Sequence, residues 1–117
     1  MFIYTVNGHV PLTQRGHKKM TPTETDVQQA LKSNEPSVIM VYSDACEKMV
    51  SVWDKFDNKS PARMYKVHAD DIPNMCLYYG IHFLPSYISN RGKTVQIGYR
   101  NTKDLNMMVS SIANFSH

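Results

Sequence analysis

Cys46 and Cys76 are the only thiols in the sequence, and their settings differ. Ser37 to Tyr42 (Ser-Val-Ile-Met-Val-Tyr) is a continuous apolar run rich in β-branched residues, the pattern of a strand covered on both faces. Met49, Val52, Trp53 and Phe56 then recur at i, i+3, i+4 and i+7, one stripe of a helix. Cys46 therefore stands where a buried strand turns into a helix. Unpaired backbone amides and the helix dipole favour a thiolate there, and the thiolate is the attacking form of cysteine. Lys48 favours the same charge, while Asp44 and Glu47 oppose it. Cys76 falls on a short helix opened by Pro73 and closed by Gly80, where the expected role of a free cysteine is a small core residue. A remote redox switch is the alternative.

Other chemistry is harder to assemble. His9, His17, His68, His82 and His117 show no metal-ligand spacing, so no metal or other cofactor is expected and surface positions are assigned to them. His82 alone falls close to the presumed site. No phosphate-cradling glycine loop, Ser-His-Asp set or paired carboxylates can be made out. The methionines fall mostly on helical stripes and strands, as packing residues.

The elements that must position Cys46 follow from pattern. Phe2 to Val6 reads as a strand ended by Asn7-Gly8, and His9 to Met20 as a loop carrying the small basic cluster Arg15, Lys18 and Lys19. Thr21-Pro22-Thr23-Glu24 predicts a helix start with Thr21 as cap, and the helix buries Val27, Ala30 and Leu31 before Pro36. Arg63 to Val67 is a further strand. Tyr87 to Ser89 and Thr94 to Ile97 flank the hairpin connection Asn90-Arg91-Gly92-Lys93. Leu105, Met108, Val109 and Ile112 form the last helical stripe, capped by Asn101. The order β-α-β-α-β-α-β-β-α requires parallel pairing first and antiparallel pairing last, hence an α/β fold with a mixed central sheet and helices on both faces.

These pieces resemble the thioredoxin and protein disulfide isomerase domains. The resemblance rests on Val38-Ile39-Met40-Val41-Tyr42-Ser43-Asp44-Ala45-Cys46, on Ala69-Asp70-Asp71-Ile72-Pro73, and on Tyr79-Gly80-Ile81-His82-Phe83-Leu84-Pro85-Ser86. The tail Gly98-Tyr99-Arg100-Asn101-Thr102-Lys103-Asp104-Leu105 completes it. It implies a thioredoxin fold over one domain, 1–117, with 1–20 as an N-terminal strand and loop and 21–117 as the core. It also implies a cis peptide at Leu84-Pro85 facing the cysteine. Cys46 would be the catalytic thiol, and Ala45, Glu47, Leu84 and Pro85 would line a groove for an extended protein or peptide client.

The family motif is Cys-x-x-Cys, and here it is Cys46-Glu47-Lys48-Met49. A methionine thioether cannot ionise to resolve a mixed disulfide. Family members also carry a buried acid six residues before the nucleophile, and here that position is Met40. The two methionines are expected near one another under Cys46, filling the space that a carboxyl and a thiol leave. The implied activity is therefore a monothiol one at most, with mixed disulfides to protein or glutathione rather than dithiol turnover. The alternative is a redox-inactive interaction module, either client-binding or homodimeric. A Cys46–Cys76 disulfide is not expected, because the fold holds the two too far apart.

The totals set outer limits. At 117 residues, 42% hydrophobic and 20% charged, the chain suits one globular domain. A net charge of +3 is too small to argue for nucleic acid. No apolar run approaches the roughly 18 residues of a membrane span. Asn7, Gly8 and Pro11 interrupt any secretory core within Met1 to Leu12, so a cytoplasmic setting is the default expectation. The glycosylation patterns at Asn58-Lys59-Ser60 and Asn114-Phe115-Ser116 are taken as chance matches.

Overall fold

A computed structural model describes residues 23–115. The strand expected at Phe2 to Val6, the loop and basic cluster after it, Thr21 and His117 lie outside the described residues.

Helix α1 (Glu24–Lys32) starts two residues later than the sequence suggested. Its cap is Thr23: the hydroxyl accepts from the Asp26 N–H at 3.1 Å, and Asp26 returns the bond to the Thr23 N–H at 3.0 Å. That reciprocal box satisfies two otherwise unpaired amides, and it places the proline of Thr21-Pro22 ahead of the helix instead of in its first turn. Strand β1 is Ser37–Tyr42, and a 3-10 turn, Asp44–Cys46, leads into α2 (Glu47–Lys55). Strand β2 (Arg63–His68) and a second 3-10 turn, Ala69–Asp71, lead to α3 (Pro73–Tyr78). Pro73 occupies the first turn of α3, and Gly80 beyond its end has φ +65, so the sequence signals at both ends were placed correctly. The hairpin of β3 (Ser86–Ser89) and β4 (Thr94–Ile97) precedes the last helix, α4 (Thr102–Phe115).

The four strands lie in the order β2-β1-β3-β4. β1 runs parallel to β2 and antiparallel to β3, and β3 is antiparallel to β4. The sheet is therefore mixed and helices cover both faces, as expected. Alternation along β1 assigns its side chains to two cores. Val38 and Met40 join Met49, Trp53, Phe56, Tyr87, Leu105, Met108 and Val109 under α2 and α4. Ile39 and Val41 join Val27, Leu31, Val67, Ile72, Met75 and Ile88 under α1 and α3. Each large apolar side chain so buried contributes about 1.5–3 kcal/mol.

α3 is too short to hold itself. Its N-terminus borrows a partner from α1: the Glu24 carboxylate accepts the Met75 N–H at 2.8 Å and the Asn74 side-chain amide at 3.0 Å. The Met75 bond is the main reason the Glu24 carboxyl lies below the usual glutamate range. A carboxyl whose pKa falls on folding adds stability above its unfolded value and loses it as pH drops through the folded one. The thermal midpoint measured against pH should therefore fall on acidification, and fall less steeply in Glu24→Gln. Identical slopes for the two proteins would show that Glu24 does not link the helices in this way.

Candidate active site

The candidate site is a corner where four segments meet at one end of the sheet. β1 exits at Tyr42, and Ser43 begins the 3-10 turn by accepting the Cys46 N–H at 2.9 Å. Cys46 is the N-cap residue of α2, with φ −93 and ψ 27, and its side chain makes no capping bond. Its sulfur lies 3.7 Å from the Ser43 hydroxyl, and the thiol is free. Residue exposure is 7%, so Cys46 is buried at the mouth of the corner while Ala45 and Glu47 on either side are exposed.

Two of the charges flanking the thiol, Lys48 and Asp44, are engaged elsewhere. The Lys48 ammonium sits over the Tyr99 ring, 4.9 Å from its centroid. Asp44 Oδ1 lies 3.1 Å from His68 Nε2, while His68 Nδ1 accepts the Asp70 N–H at 3.1 Å. A neutral imidazole protonated on Nε2 satisfies both bonds. His68 is thus not the plain surface residue that the sequence suggested, because its ring holds the cysteine turn to the end of β2 and meets Tyr42 edge-on at 5.3 Å. His82 is exposed.

Register brings Pro85 to the same corner. Met40 pairs with Tyr87 and Val41 with Ser86, so Pro85 comes level with Tyr42 at the exit of β1. The Leu84–Pro85 peptide is cis. Pro85 is buried, and its carbonyl accepts the Gly98 N–H at 2.9 Å. Leu84 is half-buried, and its side chain packs against the α1–α3 core. Neither the N–H nor the C=O of Leu84 has a partner among the described residues. Backbone in that condition is open to pairing by an added strand.

Met40 and Met49 are fully buried in one cluster, with Trp53 and Tyr87 between the same elements. Cys46 itself is not part of that cluster. Met49 is also fixed: its sulfur accepts the Arg100 N–H at 3.2 Å.

Sequence reasoning missed the scaffold beneath. Tyr87 stacks on Trp53 at 6.0 Å and donates its hydroxyl proton to the Gly98 carbonyl at 2.9 Å. Burial pushes its phenol far up; Arg100 opposes that and Cys46 adds to it. The Arg100 guanidinium lies over the Tyr87 ring and donates to the carbonyls of Ile97, Gly98 and Tyr99. No periodicity marks an arginine for that role. A hydroxyl three residues before the cysteine was the available hint for Ser43.

Cys76 lies on the other side of the sheet. It is half-buried against the α1–α3 core, its thiol 3.9 Å from the Ala69 carbonyl. It is less enclosed than a core cysteine would be. Burial, then the charges of Glu24 and Asp70, raise its thiol pKa. Among the described residues no three His, Cys, Asp or Glu side chains gather as a metal site, and no helix is long and apolar enough to cross a membrane.

No protein-family model matches the chain, and no curated protein sequence matches it. Solved structures do. A thioredoxin of Malassezia sympodialis superposes with a TM-score of 0.69 at 18% identity, covering 91% of this chain and 98% of its own. The thioredoxin of Aeropyrum pernix gives 0.66 at 11% identity, covering 95% and 93%. The first thioredoxin domain of mouse protein disulfide-isomerase A4 gives 0.63 at 13%, covering 78% and 72%.

In Cys46→Ser protein, alkylation of Cys76 followed by mass spectrometry should be slow at neutral pH. It should accelerate as pH rises past the ordinary thiol range, because a raised pKa keeps the thiol protonated until then. Full labelling already at neutral pH would contradict the burial argument. The layered mixed sheet, the position of Cys46 at its corner and the agreement with these structures lead to one conclusion: the chain has the thioredoxin fold.

Proposed function

We propose that this protein is a thiol-redox protein that works through Cys46 alone, forming mixed disulfides with a protein or peptide client or with glutathione. One observation supports the reading above others. The free Cys46 thiol sits at the N-cap of α2, and the position three residues on is a buried thioether already bonded to the Arg100 N–H. Cys76 packs against the α1–α3 core, across the sheet from Met49, which supports a reading without a resolving thiol.

In the proposed step Cys46 loses its proton to solvent and its sulfur attacks one sulfur of a client disulfide. The Cys46–client bond forms, the client S–S bond breaks, and the second client sulfur leaves as a thiolate. Ser43 is placed to donate its hydroxyl proton toward the Cys46 sulfur while that sulfur is charged. A client strand laid along Leu84 would find an unpaired backbone amide and carbonyl. Release needs an external thiolate, for which glutathione in a cytoplasmic setting suffices; it takes over the client sulfur and returns the Cys46 thiolate.

A second reading has its own observation. Cys46 is buried, whereas Phe83 and Tyr99 nearby in the chain segments of the corner are exposed at 68% and 44%. A surface of that kind suits a binding module that docks a protein, or a second copy of the chain, without sulfur chemistry.

Oxidised glutathione should add one glutathione to the folded wild type, mapped by mass spectrometry to Cys46 and absent in Cys46→Ser. Wild type should stay at background in an insulin-reduction assay, and Met49→Cys should raise turnover above it at a stability cost of about 2 kcal/mol. Folded protein that takes up no adduct would favour the binding module. Brisk turnover by wild type would refute the monothiol account.

A further inference from the structure

The β3–β4 connection contains a residue in a conformation its side chain does not favour. Lys93 N–H donates to the Asn90 carbonyl at 3.1 Å, closing a turn in which Arg91 has φ 59 and ψ 34 and Gly92 has φ 87. Asn90 (φ 57), Arg91 and Gly92 all have positive φ in the four-residue connection between Ser89 and Thr94, a region that asparagine and glycine tolerate. Gly92 meets that demand without strain. Arg91 does not, since its Cβ crowds the following carbonyl. Strain kept at one residue is a reason to ask what its side chain does.

Arg91 lines a cleft of about 180 Å³ together with Gln28, Leu31, Lys32, Tyr78 and Tyr79. The cleft lies between α1, the end of α3 and the hairpin turn. Among the described residues neither Lys32 nor Arg91 makes an ion pair; Arg91 donates one hydrogen bond to Asn34 Oδ1 at 3.3 Å. The acids of the neighbourhood are taken. Glu24 holds α3, Asp26 closes the α1 capping box, and Glu35 pairs with Arg63. None of these acids pairs with Lys32 or Arg91, and the two cations line one small cleft. Tyr79 adds a phenol, and its place is fixed by Gly92: a Cβ there would stand 2.7 Å from the Tyr79 hydroxyl oxygen. Burial raises the Tyr79 pKa, so the group remains a proton donor.

We propose that this cleft binds the phosphate group of a small phosphate monoester. Arg91 and Lys32 supply charge, the Tyr79 hydroxyl donates a hydrogen bond, and the exposed Tyr78 ring offers a face to an aromatic or sugar moiety on the phosphate. Guanidinium and ammonium groups together are a common means of holding a doubly charged phosphoryl group. The cleft belongs to the α1–α3 side of the sheet, so occupancy is independent of any chemistry at Cys46.

The test is an amide NMR titration of the whole chain with inorganic phosphate and with phenyl phosphate, at constant ionic strength kept with chloride. Saturable shifts confined to Lys32, Tyr79, Arg91 and Gly92, with a millimolar or tighter Kd and phenyl phosphate the stronger ligand, are expected. Arg91→Gly should weaken both ligands about tenfold, the loss of one charge-assisted hydrogen bond. Its thermal midpoint should not fall, because glycine suits the turn, so loss of binding cannot be blamed on misfolding. Lys32→Gln should weaken binding without moving the turn. Equal affinity for the two ligands would remove the monoester and leave a simple anion site. Absence of saturable shifts, or unchanged affinity in Arg91→Gly, would overturn the proposal and leave Lys32 as a charge answering the C-terminal dipole of α1.

Discussion

Strand β1 is buried on both faces, and the rest of the structure depends on that. A strand so placed must divide its side chains between two cores. Val38 and Met40 go to the α2–α4 side and Ile39 and Val41 to the α1–α3 side. A slip of one residue would exchange the two sets and empty both cores, so the register with β2 and β3 is firmly specified. The same register brings the cysteine turn and the Leu84–Pro85 peptide to one end of the sheet. They share that end because the strand register beneath them is fixed.

Within that frame Met40 and Met49 place apolar side chains at full burial. An acid at the Met40 position would be closed off from water among Val38, Trp53 and Tyr87, and would cost several kcal/mol unless it had a partner. A thioether costs nothing comparable and adapts its shape to the gap. Met49 does more than fill. By accepting the Arg100 N–H it joins α2 to the link between β4 and α4, while the Arg100 guanidinium gathers three carbonyls of that link. The sulfur three residues after Cys46 is thus part of the framework.

Much of this was legible in the sequence. The apolar run 37–42, the stripe from Met49 to Phe56 and the stripe from Leu105 to Ile112 each showed a single period over enough residues to give the element and its buried face. Proline and glycine marked the ends of α3 for stereochemical reasons that need no tertiary context. The sequence pattern starts α1 two residues early, since Thr21 with Glu24 and Thr23 with Asp26 both fit a capping box; in the fold Asp26 closes the box on Thr23 while Glu24 turns to α3. What stayed hidden is tertiary by nature. Glu24 caps a helix that begins 49 residues later, His68 reaches back to Asp44, and Arg100 lies over Tyr87. Side chains joined across such separations leave no periodic trace, and their residue types are ordinary for exposed positions.

The fixed scaffold also limits what a lone thiol can do. A dithiol site releases its client by attack of a second thiolate, and so needs an ionisable sulfur within reach behind the nucleophile. Here the groups behind Cys46 are held on several sides. Tyr87 is stacked on Trp53 and bonded to Gly98, Met49 is bonded to Arg100, and the turn is tied through Asp44 to His68. Among the described residues, the N–H and C=O of Leu84 at the same corner have no partner. On the proposed reading, capture is supported by local geometry and release is left to whatever thiol arrives from solution. The rate of the cycle would then follow the supply of that thiol more closely than any property of the α2 helix.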